Sequence, residues 1–185
     1  MPGHDLTHEL LRVLYFFLPA YAANMAPVLA RGHLEALALP MDAGRSLGGI
    51  RILGDHKTWR GLLAGVIAGL VTYGAQRALY EAGFLQRLAL LDYGATGLLL
   101  GALMGLGAGL GDAAKSFVKR RVGIPPGASW IGFDQLDFMV GSYLAAAPIH
   151  AAPLLVTLLT LPIVFVGSVM VTAGAYWLHL KEAWI

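Results

Sequence analysis

The chain has no cysteine and few charged residues. Without cysteine among its 185 residues, it cannot form a disulfide, a zinc–thiolate site or a redox-active thiol pair. Only 13% of the residues are charged, whereas soluble domains carry about 25%, so a soluble globular fold is disfavoured. The net charge of +2 is too small to indicate a nucleic-acid partner. Hydrophobic residues make up 57% of the chain and lie in long runs, which predicts an integral membrane protein.

Five hydrophobic runs are long enough to cross a bilayer, which takes about 20 apolar residues per helix. We therefore predict an all-α integral membrane protein, with one five-helix transmembrane bundle forming a single domain over residues 1–185. Prolines inside the first and last runs are expected to kink those helices. The predicted spans are about 8–30, 61–80, 94–111, 130–149 and 153–179.

The Lys and Arg residues are distributed unevenly between the two ends of these spans. With the amino terminus outside, ten of the thirteen fall on the inner side, and only Arg12, Arg77 and Arg87 fall on the outer side. Positively charged loops remain in the cytoplasm. We therefore predict a multi-pass protein of the cell membrane whose two long polar connections, about 31–60 and 112–129, form a functional site on the cytoplasmic side.

Glycines recur at every fourth position in the second and third predicted spans. Small residues at this spacing allow helix backbones to approach closely in lipid, so we interpret both rows as packing seams. Such seams serve contacts within one chain or between two chains, so the oligomeric state stays open. The two rows are Gly61, Gly65 and Gly69, and Gly97, Gly101, Gly105 and Gly109.

Two aspartates at the start of the fourth predicted span are candidate metal ligands. Asp134 and Asp137 are three residues apart, which puts them on one face of a helix. Carboxylates so close repel each other unless a cation lies between them or one takes up a proton. Their oxygens suit Mg²⁺, and Asp112 would join them if the third and fourth spans are neighbours. Alternatively, the pair only favours the positive end of the helix dipole, which fits Asp134 better than Asp137.

Basic residues near these aspartates are candidate phosphate ligands. Lys119 and Arg120 lie between Asp112 and the aspartate pair in the sequence. Arginine binds phosphate through two parallel hydrogen bonds, and lysine acts as a point charge. Lys115 and Arg121 belong to the same basic run, and such cations also flank spans and contact anionic lipid headgroups. We interpret Arg121 as a flanking cation of that kind. Ser116 could donate to a phosphate or simply line a helix.

The first predicted cytoplasmic loop offers a second candidate anion site. Gly54-Asp55-His56-Lys57-Thr58-Trp59-Arg60-Gly61 leads directly into the second span. The start of a helix presents unpaired backbone N–H groups, to which Lys57, Thr58 and Arg60 add side-chain donors. Phosphate binding and simple flanking of a span explain the two cations equally well. The segment is not a P-loop, because Gly-Lys-Thr is not contiguous.

These segments together resemble known lipid-activating enzymes. Ser116-Phe117-Val118-Lys119-Arg120 followed by Asp134-Gln135-Leu136-Asp137 is similar to the two motifs of the CTP:phosphatidate cytidylyltransferases. The chain departs from that pattern at Gln135, where those enzymes have Arg, and it lacks their His-Gly-Gly segment. With the segments Gly54–Gly61 and Gly111–Arg121, it looks more like the archaeal CDP-archaeol synthases, whose length and five-span layout also agree.

This resemblance implies a Mg²⁺-dependent enzyme of archaeal membrane lipid biosynthesis. Such an enzyme transfers a cytidylyl group from CTP to 2,3-bis-O-(geranylgeranyl)-sn-glycerol 1-phosphate, giving unsaturated CDP-archaeol and pyrophosphate. Two other interpretations are a CDP-diacylglycerol synthase acting on ester lipids and a small cation transporter. The residues implied as catalytic are Asp112, Lys119, Arg120, Asp134 and Asp137. The residues implied as nucleotide or phosphate ligands are Lys57, Thr58, Arg60, Lys115, Ser116, Lys119 and Arg120, and those implied as Mg²⁺ ligands are Asp112, Asp134 and Asp137.

Overall fold

The computed structural model describes residues 5–125, 128, 130 and 132–177. Within them the regular structure is helical apart from one short hairpin, which confirms the predicted all-α class. The end of the fifth predicted span, 178–179, lies outside the described residues. The helices are α1 (Leu6–Phe16), α2 (Leu18–Leu29), α3 (Trp59–Glu81), α4 (Leu99–Arg121), α5 (Phe133–Ala146) and α6 (Leu154–Trp177), and the antiparallel hairpin strands are β1 (Ser46–Leu47) and β2 (Ile50–Arg51).

The first predicted span, 8–30, is two helices. α1 ends at Phe16 and α2 begins at Leu18, with Pro19 in the first turn of α2. Proline is tolerated there, because the first N–H groups of a helix have no intrahelical partner. The proline correctly marks the point where the helix is interrupted. The sequence predicted one kinked helix there, whereas the structure has two separate helices.

α4 is longer than the span predicted for it. From the sequence, this span is predicted to end near residue 111 and 112–129 to form a loop, but the helix continues to Arg121. The segment after Gly111 contains Ala, Lys and Arg, which favour helix, and no Gly or Pro before Gly123. The prediction of a loop was therefore wrong for 112–121, and most of its candidate site residues lie on one rigid helix.

Length and composition alone identify one membrane span among the described helices, namely α3. Leu154–Met170 in α6 forms a shorter apolar stretch. α4 has the same length as α3, 23 residues, but its carboxyl-terminal half is strongly charged. Large apolar side chains on α3 and α6 face outwards, and Val71 and Leu155 are 62% and 70% exposed. Exposed apolar side chains of this kind suit contact with an apolar medium.

α4 lies between α3 and α5, and glycines permit both contacts. A Cβ atom on Gly69 of α3 would collide with the backbone of Gly105, so the two glycine rows predicted to be packing seams meet each other within this chain. On the other side of α4, a Cβ atom on Gly141 of α5 would collide with the backbone of Gly107 and Gly111. This second seam was not predicted. It brings the turn of α4 that carries Asp112 directly against α5.

Candidate active site

Three aspartates from two helices converge on one lysine. The Nζ atom of Lys115 lies 3.1 Å from Oδ1 of Asp112, 2.9 Å from Oδ1 of Asp134 and 2.7 Å from Oδ2 of Asp137. Asp112 and Lys115 are three residues apart on α4, and Asp134 and Asp137 occupy the first two turns of α5. The close approach of the two helices at their glycine seam therefore assembles the cluster.

The cluster is largely withdrawn from solvent. The side chain of Lys115 is 12% exposed, and that of Asp137 is only 6% exposed. Asp134 and Asp112 are more open, at 21% and 32%. Charges in such surroundings interact more strongly than they do in water. The buried carboxylates therefore need a cation close by, and in this arrangement the Lys115 ammonium fills that position.

Two further lysines complete the charge balance. Lys57, just before α3, donates to Oδ2 of Asp112 at 2.5 Å. Lys119, one turn beyond Lys115, lies 3.1 Å from the Asp134 carboxylate. The cluster therefore contains three ammonium groups and three carboxylates, and its formal charge is zero. Because these lysines are already paired with the aspartates, a polyanion can pair with all three of them only if another cation binds the carboxylates.

Asp134 also belongs to the start of α5. Its Oδ2 atom accepts a hydrogen bond from the backbone N–H of Trp130, and Gln135 accepts one from Gly132 at 2.7 Å. Asp134 thus stabilises the helix start as well as joining the cluster. Asp137 is one turn deeper, and among the described residues its Oδ2 has the Lys115 ion pair and no other hydrogen-bond partner.

Arg120, which follows Lys119 on α4, has unpaired hydrogen-bond donors. The residue is only 9% exposed, and its Nη2 donates to the carbonyl of Pro125 at 3.1 Å. Its Nε and Nη1 have no hydrogen-bond partner within the described part of the chain. Burying a charged group with unmade hydrogen bonds is costly, so these two nitrogens indicate a position for an anion. Ser116, one turn earlier on α4, is 5% exposed.

Two other expected phosphate ligands contact protein groups. The Thr58 hydroxyl caps α3 by accepting a hydrogen bond from the backbone N–H of Gly61 at 3.2 Å. Arg60 donates to Glu35 at 2.7 Å, on the first loop. The structure therefore brings Lys57 into the aspartate cluster, whereas Arg60 is paired outside it.

A cleft of about 190 Å³ opens beside Lys57 and Asp112, between α2, α3 and α4. Small residues form much of its wall, including Gly61 and Gly109, and His56 contributes a polar side chain. The cleft continues the charged cluster into the helix bundle, so a group attached to a bound phosphate has space there.

The aspartates supply the right kind of donor for a divalent metal, although Lys115 now lies between them. Among the described residues, no three His, Cys, Asp or Glu side chains are placed to hold a metal ion as they stand. Hard carboxylate oxygens are the ligands that Mg²⁺ prefers, and three of them lie within 3.1 Å of a single ammonium nitrogen. The donor set therefore fits Mg²⁺, provided that Lys115 moves aside.

Asp42 holds the first loop together, and its role was not predicted from the sequence. Its side chain is fully buried and accepts hydrogen bonds from Arg51 and from three backbone N–H groups. Burial raises the pKa of this carboxyl, but the bonds from Arg51 and from the N–H groups of Leu53, Gly54 and Gly44 outweigh it, so its pKa lies well below the ordinary value. The pattern Asp-x-Gly indicates a local turn but gives no sign of these longer contacts.

Arg121 also has a structural role that was not predicted. The sequence analysis interpreted it as a cation flanking a span. Instead, its Nη1 donates to the carbonyls of Arg51 and Ile52 at 3.0 and 3.2 Å. Its guanidinium also lies 3.8 Å above the ring centroid of Phe117. Arg121 therefore ties the first loop to the end of α4.

Comparison with known proteins gives a consistent result over nearly the whole chain. Residues 6–185 match the family model described as CarS-like CDP-archaeol synthase. The chain is 33% identical to the CDP-archaeol synthase of Pyrococcus furiosus over 174 residues, which cover 92% of this chain and 96% of that protein. It is 43% identical to the CDP-archaeol synthase of Halobacterium salinarum over 143 residues, covering 74% and 71%.

A solved structure agrees in fold as well as in sequence. It is described as an intramembrane enzyme for archaeal membrane lipid biosynthesis. It superimposes with a TM-score of 0.65 at 35% identity, covering 83% of this chain and 87% of that chain.

Proposed function

Because this chain belongs to the CDP-archaeol synthase family, we propose that it transfers a cytidylyl group from CTP to 2,3-bis-O-(geranylgeranyl)-sn-glycerol 1-phosphate. The products are unsaturated CDP-archaeol and pyrophosphate. The observation that carries the proposal is the partly buried cluster of three aspartates and three lysines, together with the unpaired donors of Arg120 on the same helix. Such a site suits a reaction in which two highly charged phosphates must meet.

The reaction is an in-line displacement at the α-phosphorus of CTP. An oxygen of the lipid phosphate forms the new P–O bond, the bond to the β-phosphate breaks, and pyrophosphate leaves with those electrons. The attacking phosphate is already ionised at neutral pH, so the site needs no general base. Catalysis then consists of bringing the two anions together and offsetting their charge.

Asp112, Asp134 and Asp137 are the proposed Mg²⁺ ligands. Bound Mg²⁺ supplies positive charge to the phosphate oxygens. The support for these ligands is the convergence of their oxygens on a single position, which Lys115 occupies in this structure. With Mg²⁺ on the carboxylates, the Lys115 ammonium would be free to contact phosphate.

The remaining basic residues hold phosphate groups. Arg120 donates from Nε and Nη1, which have no partner among the described residues and can form two parallel bonds to phosphate oxygens. Lys119, 8% exposed, adds a point charge one turn beyond Lys115. Lys57 lies at the edge of the cleft, where it binds a second phosphate group. The part of the substrate attached to that phosphate extends into the cleft.

The proposed membrane arrangement follows the sequence analysis. α1 and α2 together form the first of five spans, the amino terminus lies outside, and the charged cluster faces the cytoplasm. Three features support it: the uneven distribution of Lys and Arg, the exposed apolar surfaces of α3 and α6, and a water-soluble nucleotide substrate. A site at the membrane surface allows CTP to reach a phosphate whose chains remain in the bilayer.

The test is pyrophosphate release by the purified protein in detergent, supplied with CTP, Mg²⁺ and the geranylgeranyl ether phosphate. We expect release that depends on all three components. Faster turnover of an ester-linked phosphatidate would favour a CDP-diacylglycerol synthase instead. Ion uptake into vesicles without CTP, together with no pyrophosphate release, would favour a cation transporter.

A further inference from the structure

We propose that Asp42 is a positioning residue that holds Lys57 against Asp112 through the first loop. The inference rests on the proposed function, because it assigns Lys57 a place in that reaction. Asp42 itself cannot contact a phosphate, since its side chain is a fully buried carboxylate. Its effect on the site therefore passes through the backbone that it holds.

The Asp42 carboxylate binds three backbone N–H groups of the first loop and the Arg51 side chain. Oδ1 accepts from the backbone N–H of Gly44 at 3.0 Å, and Oδ2 accepts from those of Leu53 and Gly54 at 2.9 and 3.1 Å. Arg51 adds a charged donor, 2.9 Å from Oδ1. Hydrogen bonds to a charged group are among the stronger ones in proteins. One side chain thus joins both ends of the segment 42–54, which includes the hairpin of β1 and β2.

A backbone hydrogen bond links the neighbour of Asp42 directly to Lys57. The backbone N–H of Met41 donates to the carbonyl of Lys57 at 2.7 Å, so the residue next to Asp42 is bonded to the residue being positioned. Gly54, which Asp42 also holds, is three residues before Lys57 and has φ +102°, a conformation that other residues rarely adopt. The backbone N–H that Asp42 holds at Gly54 therefore belongs to a turn just before Lys57.

The same loop is fixed to the helix that carries the aspartate. Arg121, at the end of α4, donates to the carbonyls of Arg51 and Ile52. Asp112 lies nine positions earlier on α4, which is about 13 Å along a helix. The loop is thus held to one rigid helix at two points, by Arg121 at one end and by the Lys57–Asp112 pair at the other. Asp42 connects the two points.

A double-mutant cycle in the pyrophosphate-release assay tests the coupling. We expect Asp42→Asn and Lys57→Ala each to lower kcat/KM at least tenfold. If Asp42 acts through Lys57, the double variant is no worse than Lys57→Ala within a factor of about three. Asp42→Asn lowering kcat/KM by the same factor in both backgrounds would overturn the proposal.

Asp55→Asn is the matched control. Asp55 also pairs with Arg51, at 2.8 Å, but its side chain is 75% exposed. An exposed ion pair of this kind contributes little, so we expect near-normal kcat/KM. A loss as large as that of Asp42→Asn would mean that Arg51, and not the buried carboxylate, sets the position of the loop, and would contradict the proposal.

Chemical acetylation of Lys57 tests the proposal without an enzyme assay. Lys57 is 23% exposed and paired with Asp112, so it should react slowly with acetyl N-hydroxysuccinimide. We expect Asp42→Asn to increase acetylation of Lys57 at least threefold by mass spectrometry, with Lys119 unchanged. Unchanged acetylation of Lys57 would overturn the inference.

Two outcomes separate this inference from the function on which it rests. If Asp42→Asn does not fold, Arg121→Gln, which loosens the other attachment of the loop, is expected to give the same rise in Lys57 acetylation. No rise in that variant would count against the proposal. Absence of pyrophosphate release by the wild-type protein would contradict the proposed function alone, and the acetylation result would still decide the role of Asp42.

Discussion

Replacing Lys115 with methionine removes the cation that contacts all three aspartates. Methionine keeps much of the side-chain length, so the change is mainly one of charge. Asp112 retains Lys57 and Asp134 retains Lys119. Asp137, 6% exposed, keeps no cation contact among the described residues.

The expected loss of stability comes from Asp137, the one carboxylate of the three left without a cation partner in the described part of the chain. Breaking a buried ion pair from one side costs about 3–5 kcal/mol, and we expect the lower end because a single aspartate loses its partner. For a chain of this size each kcal/mol moves Tm by about 2–4 °C. We therefore expect Lys115→Met to melt roughly 6–12 °C below wild type without divalent metal.

Mg²⁺ should reverse much of this loss if the carboxylates are metal ligands. At a concentration 100 times Kd, a bound ligand stabilises the folded state by about 2.7 kcal/mol. The gain should be smaller in wild type, where the metal must first displace the Lys115 ammonium. Thermal unfolding followed by tryptophan fluorescence in detergent, with and without Mg²⁺, measures both effects.

Arg77→Met provides the control for losing an ion pair. Arg77 pairs with Glu81 on α3, and both side chains are at least 36% exposed. A pair this open contributes at most about 1 kcal/mol, with no dependence on Mg²⁺. Either of two results would contradict this prediction: Lys115→Met melts like wild type, or Mg²⁺ stabilises the Lys115 variant no more than it stabilises wild type.

Three further predictions concern the aspartates, the first loop and the helix seam. Asp134→Asn or Asp137→Asn should abolish CTP-dependent lipid turnover while the protein remains folded in detergent; near-normal activity in either would remove that residue from the metal site. Because the folded-state pKa of Asp42 is lowered, its contribution to stability is fully present above the unfolded pKa, about 3.9, and is lost as pH falls towards the folded value. The stability gap between wild type and Asp42→Asn, measured by unfolding from pH 7 to 3, should therefore shrink below about pH 4, and a gap that widens in acid would contradict this. Gly111→Ala places a Cβ atom against the carbonyl of Asp137, whereas Gly167→Ala meets nothing within 4 Å. Only the first variant should lower Tm and activity, with a loss of about 1–3 kcal/mol in the free energy of unfolding.

The hydrophobic pattern predicted the helices well, because each apolar run must bury or shield its backbone as a helix in lipid. It placed α3 within two residues of its observed limits, 59 and 81. It failed at the end of α4, where charge was taken to mark a loop. Charged residues with high helix propensity continue a helix beyond the apolar run, and hydropathy cannot register this.

The candidate site was partly predictable for a similar reason. Residues that share a helix face, such as Asp134 and Asp137, can be grouped from spacing alone. Lys115 lies at the centre of the aspartates only because Gly107, Gly111 and Gly141 bring α4 and α5 together. The contacts of Asp42 depend on how the first loop folds back on itself, and local sequence carries no information on that path.

The position of a divalent metal in a crystal structure determined with CTP and Mn²⁺, read from the anomalous signal of the metal, tests the proposed site directly. We expect a peak at coordination distance, about 2.0–2.3 Å, from carboxylate oxygens of Asp134 and Asp137, with the Lys115 ammonium displaced towards phosphate. A nucleotide-bound structure in which Lys115 still bridges the three aspartates, with the metal elsewhere, would contradict the proposed site.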